Sequence, residues 1–173
     1  LLTTPGALPA AADTARVRAS LADQLETLAA NLETHLSGNH YLWNLLALVF
    51  AGAAHSGAAA ERWLAFAPRL AAELDEQIFA SGLHYERSPM YHALLLENVL
   101  DLVNADASAS ADASGSGGAS AQGRLPAALA AKLRDVAARM LGALAVVTHP
   151  DGEIALLGDS ALGIAQPPAR LVA

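Results

Sequence analysis

The sequence has no cysteine, and Lys132 is its only lysine. Without cysteine there is no disulfide, no thiol nucleophile and no thiolate metal site. Aromatic and β-branched side chains are sparse, which leaves little from which to build a sheet. Basic runs are missing too: 17 acids against 10 bases give a formal charge of −7, which argues against nucleic acid as a partner. An acidic chain can still hold an anion where arginine, histidine or helix N-termini supply local positive potential. The longest apolar run, Tyr41 to Ala54, falls short of the ~20 residues that span a bilayer, so no membrane insertion is expected. No P-loop, GxGxxG, GxSxG or HExxH occurs, and the histidine spacing matches no metal motif, so neither cofactor nor metal is expected. The chain opens LLTTPGALPA and ends PPARLVA, which reads as a piece of a longer protein.

What is present is alanine and leucine. Apolar residues make up 54 %, much of it alanine, and with sheet formers scarce this predicts an all-α fold. At 173 residues the chain can bury one substantial core. Leucines recurring from Leu21 to Leu36 predict a first helix over Pro9–Leu36, stopped by Gly38 in a left-handed cap. Asn39 then caps a second helix, apolar almost all round, running to about His55. A third spans Ala58 to Ala80, kinked or split at Pro68. A fourth starts at SPMY, with Ser88 as cap and Pro89 in the first turn, and runs to about Val103. The Ala/Ser/Gly/Asp tract from Asn104 to Arg124 reads as a flexible surface loop. A fifth helix follows over Pro126–Val147, and EIALL after Asp151-Gly152 suits a short extended segment.

Short connections make successive helices antiparallel neighbours. The junctions near 36–40, 81–92 and 148–160 then share one rim, and those near 55–58 and 104–124 share the other. The first rim collects His35, His40, His84, His92 and His149, together with Asn39, Glu86, Arg87, Tyr91 and Asp159. Two helix N-termini meeting there would offer unpaired N–H groups and positive dipole ends to an anion.

A phenol ionises near ~10 and is a poor base at neutral pH unless cations or dipoles stabilise the phenolate. Tyr91 lies in the first turn of a helix, with Arg87, His84 and His92 near it in sequence. Tyr85 competes, but it precedes the cap. Bland readings stay open for each residue: a plain N-cap at Asn39, a surface imidazole at His40, an interface tyrosine at Tyr91. Glu86 could pair with Arg87 or orient a histidine, and Arg87 fits a structural ion pair better than a substrate clamp. Glu86 and Asp159 could also serve as the two carboxylates of a glycoside hydrolase.

Three blocks, SGNHYLWNLLALVFAG, HYERSPMYHALLLENVLDL and HPDGEIALLGDSALGIAQPP, resemble the helical domain of the heparinase II/III-like polysaccharide lyases. They come in the family's order and cover most of the chain from Ser37 to Pro168. The resemblance implies that residues 1–173 form part of an incomplete (α/α) toroid of antiparallel helical hairpins, with a β-sandwich domain downstream. It implies β-elimination on an anionic polysaccharide such as heparan sulfate or alginate, and a periplasmic location. Residue by residue, Asn39 and His40 match the pair that meets the uronate carboxylate, and Tyr91 matches the acid/base. The resemblance also allows His40 a share in the base role, depending on the uronate epimer. Arg87, Glu86, His92 and His84 are the candidate substrate-binding residues beside them. Further site residues, including a histidine, would come from the remainder of the parent chain, so this piece alone is expected to be inactive. The competing readings are the (α/α) glycoside hydrolase and a non-catalytic helical binding module.

Overall fold

A computed structural model of the chain describes residues 11–36, 38–115 and 125–172, and it is all-α. The helices are α1 (Ala11–Ala30), α2 (His40–Ala54), α3 (Ala58–Leu64), α4 (Ala67–Gln77), α5 (Pro89–Gly115), α6 (Ala127–Val146) and α7 (Pro168–Leu171). Extended structure among the described residues amounts to two isolated antiparallel bridges, Ile78 with His84 and Thr148 with Ile154. The second of these lies in the EIALL segment.

α2 is the inner helix that its uniform apolarity predicts. One side joins the main core, where Leu42, Leu45 and Val49 meet Leu70 and Leu74 of α4, Leu95, Leu96 and Val99 of α5, and Leu133 and Met140 of α6. The other side, through Leu48 and Ala51, meets Leu25 of α1 and Trp63 of α3. A fully buried leucine contributes roughly 2 kcal/mol, so the position of α2 is set firmly from both sides.

Three boundaries differ from the sequence reading. α1 ends at Ala30 rather than Leu36, because Asn44 Oδ1 takes the Glu33 N–H at 2.9 Å, a donor that further helix would need. The helix expected over Ala58–Ala80 is split just before Pro68, one of the two outcomes expected, but it ends at Gln77 rather than Ala80; Pro68 stands in the first turn of α4, where its missing N–H costs nothing. α5 does not stop at Val103 but continues through the start of the low-complexity tract to Gly115. Alanine recurs through that stretch and sustains helix. The tract is therefore helical over 104–115, and the rest of the expected loop, 116–124, lies outside the described residues.

The helix directions follow from contacts between their ends. Gln77 at the end of α4 reaches Gly38 just before α2, so these two helices run antiparallel. His92 at the start of α5 bonds Met140 late in α6, so those two do as well.

Candidate functional site

The rim begins at Gly38. Its φ of +94° is the left-handed conformation expected for the turn. A Cβ there would lie 3.0 Å from Glu86 Oε1 and 3.7 Å from the Tyr85 hydroxyl, so glycine also permits a close approach. The loop before α2 thus abuts the turn before α5. The third junction joins them. Ser160 Oγ accepts the Met90 N–H at 3.1 Å and lies 3.1 Å from Ser88 Oγ, while Ser88 Oγ accepts the Tyr91 N–H at 3.3 Å. Segments 38–40, 84–92 and 158–160 therefore form one continuous edge, as the antiparallel order predicts.

Asn39 is buried and immediately precedes α2, but its backbone is helical and its side chain makes no capping hydrogen bond. The amide is not spent on closing the helix. His40 exposes 55 % of its side chain, enough to meet a ligand, and its Nδ1 lies 3.8 Å from Glu33 Oε2. The same carboxylate accepts from Asn44 Nδ2 at 3.1 Å. Glu33 and Asn44 thus form a bracket behind the imidazole that the sequence reading missed.

Tyr91 sits in the first turn of α5, half-buried against the main core. The expected free N–H groups at this helix end are not free. Met90 and Tyr91 donate to serine hydroxyls, and Pro89 has no N–H to offer. The positive end of the helix dipole remains beside the phenol.

Arg87 is exposed, with φ at +57°, the one positive-φ non-glycine residue among the described residues. No salt bridge engages it among the described residues, so the structural ion pair expected for it is absent and its charge stays available on the rim. Glu86 is half-buried and faces Gly38, while Asp159 is exposed on the neighbouring turn. Burial first, then Glu86, raises the pKa of Tyr85 further above the ordinary phenol value, which disfavours its phenolate at neutral pH.

His84 and His92, expected to touch substrate, are each 1 % exposed. Their polar atoms point inward. His92 Nδ1 accepts the His84 N–H at 3.3 Å, and its Nε2 donates to Met140 O at 3.0 Å. His84 Nε2 meets Gln77 Oε1 at 3.2 Å, and its Nδ1 is buried without a partner among the described residues. Burial lowers the pKa of both, that of His84 to about 4, where His92 adds to the effect. Neutral imidazoles closed off from solvent support the rim from within rather than contact a polymer.

The family model for the heparinase II/III N-terminus matches residues 14–163. The chain belongs to the heparinase II/III family. That match covers all three junctions of the rim. Comparison with curated proteins and with solved structures gives no match. Membership in the heparinase II/III family associates the chain with polysaccharide lyases and a polysaccharide substrate. No helix among the described residues is long and apolar enough to cross a membrane, and these residues hold no cluster of three or more metal-ligating side chains. A wide concavity of about 990 Å³ lies away from this rim, between α1 and α2, where Val17, Leu21 and Phe50 give it an apolar lining.

Proposed function

We propose that this heparinase II/III chain is the helical part of a lyase that cleaves uronic-acid-containing polysaccharides by β-elimination. The observation that carries the reading is the contact of Gly38, which leads into Asn39 and His40, with the turn that leads into Tyr91. An amide, an imidazole and a phenol then border one edge, where a single acidic pyranose can be gripped.

The C5 proton of a uronate is weakly acidic while its carboxylate is ionised, because removing it builds a second negative charge. Asn39 and His40 hold the carboxylate and stabilise the enolate-like intermediate as that charge develops. Tyr91, as phenolate, takes the C5 proton. The electron pair of the C5–H bond becomes the C4=C5 double bond, the C4–O4 bond breaks, and the tyrosine proton passes to the departing O4. Arg87 lends positive potential to the phenolate and to the substrate, and Glu33 sets the orientation of His40. No external oxidant, reductant or water is consumed.

The test is elimination on a panel of uronate polymers with the intact protein, followed by ultraviolet absorbance of the new C=C conjugated to the carboxylate. Tyr91→Phe should abolish that signal while substrate binding persists. Retained turnover in this variant would contradict the assignment. New reducing ends without ultraviolet absorbance would instead identify a hydrolase.

A further inference from the structure

The two halves of the proposed site are joined by a buried chain of hydrogen bonds that has no part in the chemistry itself. It starts in α6, where Met140 O accepts from His92 Nε2. His92 Nδ1 must then be an acceptor, and it receives the His84 N–H. The Gln77 amide nitrogen donates to Gly38 O at 3.3 Å and to Glu73 Oε2 at 2.9 Å, so Oε1 is left to accept from His84 Nε2. This assignment puts the His84 proton on Nε2 and leaves its Nδ1 an acceptor without a partner among the described residues. The chain ends at Gly38, whose next residues are Asn39 and His40. Along its length each donor meets an acceptor, and both imidazoles are neutral.

Gln77 is the junction. It is 4 % exposed, its backbone carbonyl accepts the Tyr85 N–H at 2.9 Å, and its side chain reaches both His84 and Gly38. One residue thus holds the turn that carries Tyr85 to Arg87 and the loop that carries the carboxylate-binding pair.

We propose that Gln77, backed by His84 and His92, is a positioning residue that fixes Asn39 and His40 relative to Tyr91. This rests on the lyase reading for its kinetic consequence but not for its structural one. A misplacement on the order of 1 Å between an acid/base and the groups that stabilise the charge costs about 100-fold in rate. The effect should fall on kcat, because the carboxylate's demand on Asn39 and His40 grows toward the transition state.

Two substitutions separate the tether from simple packing. Gln77→Leu removes the side-chain links to Gly38 and His84 together with the bond to Glu73. Gln77→Glu keeps the acceptor for His84 but loses the donor to Gly38, and it places a second carboxylate beside Glu73. That pair resists ionisation, so a protonated Glu can donate to Gly38 O again at low pH. The titratable neighbours are Glu73 and His84 on the side chain itself, with Tyr85 and Glu86 across the Gly38 loop.

In the intact protein, kcat of Gln77→Leu should fall by about 100-fold with KM little changed. Gln77→Glu should recover toward wild type as pH is lowered. Backbone amide exchange at Gly38 to His40 should quicken in Gln77→Leu and stay unchanged within α6. A folded Gln77→Leu that turns over within about twofold of wild type, or a Gln77→Glu that does so at neutral pH, is far from the loss expected of a misplaced site and would overturn the proposal. So would unchanged exchange at Gly38 to His40. If the wild type shows no elimination on any uronate polymer, the lyase reading fails, and the exchange measurement still decides the tether. If Gln77→Leu does not fold, Gln77→Glu carries both readouts.

Discussion

Gly82 offers a direct test of how tightly the turn behind the rim is seated on α6. Its φ is +85°, and a Cβ there would lie 2.1 Å from Arg139 O and 2.5 Å from Arg139 C. Both atoms are helix backbone, so no rotamer can relieve the clash. Gly82→Ala therefore carries two costs. A left-handed backbone with a side chain costs roughly 1–2 kcal/mol. Pushing the 79–84 turn off α6 costs about 1–3 kcal/mol more, the range for overpacked sites. The second cost includes the bond from Arg139 to Phe79 O, made at 3.0 Å across the same contact. Gly152→Ala is the control, because its φ of +89° imposes the same backbone strain with nothing within 4 Å of the new Cβ. Thermal unfolding of the intact protein, followed by far-ultraviolet circular dichroism, should place Gly82→Ala below Gly152→Ala. At about 2–4 °C per kcal/mol for a chain of this size, the gap is on the order of 5 °C. Equal melting temperatures would refute the close seating of the turn, and with it the rigidity assigned to Gln77 and His84.

Asn39→Ala should lower kcat while leaving the helix content of the protein intact, since the side chain makes no capping bond; an effect confined to KM would remove Asn39 from transition-state stabilisation. Acid should destabilise the fold through His84. Its folded pKa of about 4 lies below the unfolded value of 6.5, so the unfolded chain binds the extra proton between them. Stability is then complete above that window and falls as pH drops through it, by about 2 kcal/mol from neutrality to pH 5. Burial of His92 acts in the same direction. His84→Gln should flatten this pH dependence of urea unfolding, and a variant as acid-sensitive as wild type would show that the loss arises elsewhere.

Much of the fold is legible because each helix carries its own signals. Ser88-Pro89 starts α5 and Gly38 turns into α2, each by local stereochemistry that no distant contact overrides. The shared rim is legible from chain direction alone. The end of α1 is not, because it depends on Asn44, a residue 11 positions from the amide it captures. The length of α5 is misread for a different reason: small residues mark loops by composition, yet alanine sustains helix where a helix is already under way. Within the site, Asn39, His40 and Tyr91 are visible by motif. His84 and His92 look like ligands for the same reason, since residue type carries no information on which way a ring faces. Gln77, Glu33 and Ser160 are invisible, because their partners lie 39, 11 and 72 residues away.

α5 is 27 residues long, about 40 Å of continuous rod, with its first turn fastened by Ser88, Ser160 and His92. Among the described side chains of α5, Val103 is the last that packs on the main core, so the core grips the part of the rod that begins at Tyr91. A helix is stiff along its axis, so the packing that seats Leu95, Leu96, Val99 and Leu102 also sets the bearing of the tyrosine at its tip. One rod thus carries the order of the interior out to the edge proposed for the chemistry.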